Sequence, residues 1–132
     1  MATLINTITV NSTSALAETT VYTVPTQSVA DAAEEFEASV NAADGNWFVE
    51  IDNSDGGTDV TVSLLAGDFV GARTVSVGTV KAAAKAVIFA DSATCKATGG
   101  NIHLELKPAS GVSLSTCGIK MHAVQFLPAE CK

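Results

Sequence analysis

The sequence predicts an all-β sandwich or barrel with one short helix, in a single domain spanning 1–132. Three observations carry that expectation. Apolar and polar residues alternate in runs of β-branched residues, about eight of them at roughly ten-residue spacing. Gly, Asp and Asn cluster between the runs, where turns need them. Hydrophobic residues make up 47% of the chain but aromatics only 5%, so the core must come from Val, Ile, Leu and Ala. The length of 132 residues suits one domain that folds without covalent staples.

Residues 3–10, TLINTITV, read as the first strand. Residues 19–25, TTVYTVP, alternate again until Pro25 ends the run. The segment 28–43, SVADAAEEFEASVNAA, differs: Val29, Ala33, Phe36 and Val40 fall at helical spacing, Ser28 can cap, and Ala and Glu favour helix. It is predicted to be the helix, with an acidic loop as the alternative.

In 46–68, NWFVEIDNSDGGTDVTVSLLAGD, two alternating runs flank an Asp/Gly turn. Trp47, Val49 and Ile51 point inward in the first run; Val60, Val62 and Leu64 share a face in the second. An antiparallel hairpin is the expected pairing. TVSVGTV (74–80) and Ala86–Phe89 are predicted strands, followed by a short strand and turn in DSATCKATGG (91–100). NIHLELKP (101–108) places Ile102, Leu104 and Leu106 inward, with His103, Glu105 and Lys107 outward. ASGVSLSTCG (109–118) reads as loop and short strand. IKMHAVQFLP (119–128) alternates last, with Lys120, His122 and Val124 on the outward phase.

Composition narrows the function. A net charge of −7, with seven scattered basic residues, argues against nucleic acid as partner. No apolar run reaches about 18 residues, so no membrane helix is expected. The N-terminus has neither a basic region nor a long apolar core, so no signal peptide is expected and synthesis in a reducing cytoplasm is the default. Cys95, Cys117 and Cys131 are odd in number, which argues against a closed disulfide framework, and their separations match no CxxC knuckle. They are expected to be free thiols.

No catalytic, cofactor or metal site is expected. His103 and His122 carry no ligand motif and are read as solvent-facing strand residues. Cys117 with His122 is the nearest approach to a nucleophile and base, but nothing in the spacing supports it. NSDGGTD (53–59) offers oxygen ligands but lacks the bidentate Glu that closes a calcium loop, so it reads as a solvated turn.

Residues 46–128 resemble small head decoration (auxiliary or cement) proteins of tailed bacteriophages. The residues that carry the resemblance are WFVEIDNSDGGTDVTVSLLAGD, RTVSVGTVKAAAKAVIFADSATCKATGGNIHLEL and MHAVQFLP. The resemblance implies an antiparallel β-sandwich of jelly-roll type, often a trimer on the outer capsid surface, with no catalytic residues. The expected function is a virion structural protein that binds the major capsid protein and bridges its subunits, with no nucleic acid, membrane or cofactor involved. The interface is expected at Leu4, Ile5, Ile8 and Val10 of an N-terminal arm (about 1–12), and at Phe69 and Val70 of the 66–73 loop. That arm either adds a strand to a neighbour or stays in its own sheet. Two other readings are a phage tail tube or tail-completion subunit, and a carbohydrate-binding β-sandwich.

Overall fold

Period-two alternation becomes strand almost wherever it occurs, as a computed structural model shows for the residues it describes: 3–11, 21–40, 46–66, 74–88 and 101–127. The strands among them are β1 (Thr3–Leu4), β2 (Thr7–Asn11), β3 (Glu34–Ser39), β4 (Trp47–Asp52), β5 (Val60–Leu64), β6 (Val75–Val80), β7 (Lys85–Ile88), β8 (Asn101–Pro108) and β9 (Lys120–Leu127). They form two sheets. Sheet A has the order β1-β3-β8-β5-β6 and sheet B the order β2-β9-β4-β7. The sheets are mixed rather than wholly antiparallel as expected: β1 beside β3 and β2 beside β9 run parallel, and the other pairs are antiparallel. Of the strands consecutive in the chain, β5 and β6 pair as a hairpin, and the others change sheet.

The expected all-β sandwich is therefore present, and its core lies between the sheets. Sheet A contributes Phe36, Ile102, Leu104, Leu106, Val60 and Val62, and sheet B contributes Trp47, Val49, Ile51, Met121 and Ala123, all buried. Each large aliphatic side chain buried there contributes about 1.5–3 kcal/mol relative to exposure. The inward phases read from sequence for 47–51, 60–64 and 102–106 are the buried ones.

Five expectations need correction. Residues 28–43 do not form a helix: Glu34–Ser39 is β3, paired over six residues with β8, and its burial alternates. Phe36, Ala38 and Val40 step by two as well as fitting a helical stripe, and pairing with an apolar neighbour overrides the helix propensity of Ala and Glu. Val29, counted on the helical stripe, is 61% exposed.

Trp47–Asp52 and Val60–Leu64 do not pair as a hairpin; they belong to opposite sheets. The seven residues between them fold around the buried side chain of Asn53. Its Nδ2 donates to the carbonyls of Thr58 (2.8 Å) and Lys81 (3.1 Å). Its backbone N–H donates to Ala84, and its carbonyl accepts from Gly56 and Ala83. Asn53 thus binds the β4–β5 crossover to the β6–β7 crossover beside it. The NSDGGTD stretch keeps an exposed turn at Ser54 and Asp55, but it crosses between sheets instead of closing a hairpin.

Residues 3–10 are two strands in different sheets, with the step at Ile5, whose N–H donates to Glu37 O at 2.8 Å. In 21–25, only Thr23 makes a ladder contact, an isolated antiparallel bridge to Met121. Between β8 and β9 the chain makes a 3-10 turn at Leu114–Thr116 instead of a strand. The stretch 91–100 lies outside the described residues.

Candidate functional site

Register sorts the outward side chains of sheet B into rows. Ile51 and Met121 point to the core, so their neighbours Phe48, Glu50 and Asp52 on β4 face outward opposite Val124, His122 and Lys120 on β9. On β2, Ile8 and Val10 lie beside Val124 and Phe126. On β7, Val87 lies beside Glu50, and Lys85 beside Asp52. The face is therefore graded. One end is ionic, with Lys120, Asp52 and Lys85. The other is apolar, with Ile8, Val10, Phe48 and Phe126. The Phe48 and Phe126 rings sit 6.0 Å apart. Phe126 is 41% exposed and Val87 61%.

A strap, residues 21–27, starts beside β9 in line with β2 and sends the Tyr22 side chain over the middle of this face. Thr23 exchanges both backbone hydrogen bonds with Met121, at 2.7 and 3.0 Å. That places Tyr22 flat on His122, with ring centroids 4.3 Å apart and planes within 10°. The Tyr22 hydroxyl donates to Glu50 Oε1 at 3.0 Å, and His122 Nε2 lies 3.2 Å from the same oxygen. His122 Nδ1 is 3.2 Å from the Val21 carbonyl oxygen. Lys120 Nζ sits 4.9 Å from the Tyr22 ring centroid, a cation–π contact. The lower end of the strap is fixed by the buried Glu34 carboxylate, which accepts from the N–H groups of Thr26 (2.9 Å) and Gln27 (2.8 Å) and from the Thr3 hydroxyl (2.7 Å).

The electrostatics follow from these contacts. Burial, the Glu50 hydrogen bond and the nearby Glu50 and Asp52 charges push the Tyr22 phenol up to about 12. Burial also pushes the Asp52 carboxyl upward. Donation from the Ser54 hydroxyl and N–H, with Lys85 and Lys120 nearby, outweighs it and holds the group below its ordinary value.

The outer face of sheet A is a contrast. Glu35 and Glu105 are cross-strand neighbours, Glu37 lies opposite His103, and Lys107 lies opposite Thr61. His103 Nδ1 is 2.9 Å from Glu35 Oε2, and Asn101 donates to Glu37. That face is acidic and polar over β3 and β8, with the exposed Leu4 beside Glu37 at its β1 edge.

The sequence-derived interface residues separate on this framework. Ile8 and Val10 lie together on the apolar end of sheet B, half-buried. Leu4 is 65% exposed, but on β1 at the edge of sheet A. Ile5 is a correction: it is 2% exposed and belongs to the core, because the step between β1 and β2 turns it inward. Phe69 and Val70 lie outside the described residues. The arm itself stays within its own sheets, through β1 on β3 and β2 on β9.

His122 needs a second correction. It does occupy the outward phase of β9, but it is 1% exposed, because the strap covers it. His103 and His122 lie on opposite sheets and do not meet. The Cys117 thiol donates to Leu114 O at 3.3 Å, while both His122 nitrogens face other partners. The acids around NSDGGTD diverge: Asp52 holds Ser54 and Lys85, and Asp59 holds Lys81 and the Ala82 N–H. Among the described residues no group of three or more His, Cys, Asp or Glu side chains is placed to hold a metal ion. No helix there is long and apolar enough to cross a membrane. Trp47 is 2% exposed and cannot stack on a sugar. Phe48, Phe126, Tyr22 and Val87 were missing from the sequence-derived interface. For the two phenylalanines a signal existed: each is an aromatic residue in the outward phase of an alternating strand.

No protein-family model, curated protein or solved structure matches the chain.

Proposed function

We propose that this chain is a virion structural protein that decorates a phage capsid, lying on the shell by the outer face of sheet B and bridging neighbouring capsid subunits. The observation that carries the reading is the difference between the two outer faces. Ile8, Val10, Phe48 and Phe126 make one apolar end, whereas Glu35, Glu37, Glu105 and Lys107 cover the other side. A module built this way docks by one face and presents its acidic face to solvent. Each copy that binds only the assembled shell stabilises the shell by mass action.

The strand order also supports the reading. The order β3-β8-β5-β6 over β2-β9-β4-β7 favours the jelly-roll type of sandwich, a two-sheet architecture used in viral capsids. The departure is β2, which runs parallel to β9.

Co-sedimentation with capsid shells assembled from the major capsid protein of the same virion tests the proposal. Phe126→Asp and Val10→Asp should each weaken binding about tenfold or more, as a central apolar anchor does. Thr61→Asp, on the face of sheet A, should leave it unchanged. Equal binding by all three variants defeats the assignment of the face, and no binding by the unaltered protein defeats the function.

A further inference from the structure

We infer that His122 is a proton-operated latch on the strap. While the ring carries both its protons, the Val21 end of the strap is closed over sheet B; loss of one proton opens that end alone. The imidazole is 1% exposed, and each of its nitrogens meets an oxygen. Nδ1 lies 3.2 Å from the Val21 carbonyl oxygen, which can only accept. Nε2 lies 3.2 Å from Glu50 Oε1, which already accepts from the Tyr22 hydroxyl at 3.0 Å. Two acceptors on one ring need a proton on each line, and a neutral imidazole beside a carboxylate supplies only one. The closed clasp therefore holds one ionisable proton more than a neutral ring and the Glu50 carboxylate have together.

The surrounding charges decide which line fails. From β4 come the Glu50 carboxylate and, next on the same face, Asp52. From β7 come Lys85, which pairs with Asp52, and the uncharged Val87 beside Glu50. On β9 itself Lys120 sits against the Tyr22 ring and 3.7 Å from Asp55. β2 adds only Ile8 and Val10 to this face, and the strap adds Tyr22. A hydrogen bond to a carboxylate is stronger than one to a neutral carbonyl, so the proton that remains stays on Nε2. The Nδ1 proton goes to water, and the Nδ1 lone pair then faces the Val21 oxygen at 3.2 Å. Val21 is the side that yields: it is 53% exposed, so its carbonyl finds water on turning away. Tyr22 and Thr23 stay in place, because the Tyr22 hydroxyl keeps Glu50 and Thr23 keeps both bonds to Met121. The hinge therefore lies between Val21 and Tyr22, and opening uncovers the Nδ1 edge of the ring. The latch works whatever the face of sheet B binds.

Ring-nitrogen NMR on the isotope-labelled full chain, free in solution, tests the latch. From about pH 5 to 9, His122 should pass from two ring protons to one, carried on Nε2. The Val21 carbonyl carbon and the Tyr22 amide should shift in that same step, while the Thr23 amide stays protected from exchange. His103, on sheet A and 28% exposed, is the control: His103→Gln should leave the Val21 step in place. Glu50→Gln keeps an acceptor but removes the charge, so its Val21 step should come at lower pH. A His122 ring that holds the same protons throughout overturns the inference, as does a remaining proton on Nδ1. So does a Val21 carbonyl that fails to move with the ring, or loss of Thr23 protection in the same step. These readouts come from the unaltered protein and decide the matter even if Glu50→Gln fails to fold.

Discussion

Adding one methyl group at Gly56 should unlock the crossover that Asn53 holds. A Cβ at that position lies 1.9 Å from Asn53 Oδ1 and 2.9 Å from the Cys117 carbonyl oxygen. The carbonyl is backbone and yields little, so the Asn53 amide must leave. It then loses its bonds to Thr58 O and Lys81 O, at 2.8 and 3.1 Å. Each lost bond costs about 1 kcal/mol, and a carbonyl left buried without a partner costs about 1–3 kcal/mol more. The net expectation for Gly56→Ala is a destabilisation of about 3 kcal/mol, a large share of the roughly 5–15 kcal/mol of a domain. Urea unfolding of Gly56→Ala, Asn53→Ala and the double variant measures it. With the Asn53 amide already gone, Gly56→Ala should cost about 1–2 kcal/mol less than in the unaltered protein, because the two positions share one contact. Full additivity, or a Gly56→Ala cost below about 0.5 kcal/mol, refutes the clash as the reason for glycine.

Two further outcomes concern the strap and the ionic row. Tyr22 is the only tyrosine, so absorbance at 295 nm reports it alone. Its midpoint should fall near 12, and because a phenol raised on folding stabilises the fold only while it keeps its proton, stability should fall as pH rises from about 10 to 12. A midpoint near 10 contradicts the Glu50 contact, and Tyr22→Phe should remove this alkaline loss. For Asp52, the carboxyl is depressed on folding, so its contribution is complete above its ordinary value of 3.8 and is lost as pH falls through the folded value. Asp52→Asn should lower the melting temperature at pH 7 and flatten its decline on acidification. An unchanged acid limb means that Ser54, Lys85 and Lys120 do not stabilise the charged group.

The fold was legible where two signals agreed. β4, β5 and β8 combine β-branched residues with strict alternation, and their buried phases are the ones read from sequence. β3 was not legible, because Phe36 and Val40 satisfy a helical spacing as well as a strand, and the deciding partner, β8, begins more than sixty residues later. The β4–β5 connection was misread for a related reason. Alternation says which side of a strand is buried, but not which sheet the strand joins, and the crossing depends on Asn53 reaching the 81–84 turn.

The site divides in the same way. Ile8 and Val10 could be picked out locally, as apolar residues on one parity of an N-terminal strand. The cover over His122 could not, since it joins residues about a hundred positions apart. Ile5 was misassigned because a continuous strand hides the step at which the chain changes sheets.

The outer face of sheet B is the surface proposed to meet the shell. Cryo-electron microscopy of capsid shells decorated with the protein tests it most directly. The sandwich should lie with Ile8, Val10, Phe48 and Phe126 against capsid subunits and with Glu35, Glu37 and Glu105 facing solvent. Density with the acidic face of sheet A against the shell, or a single ring at the tail with a bare head, would contradict it.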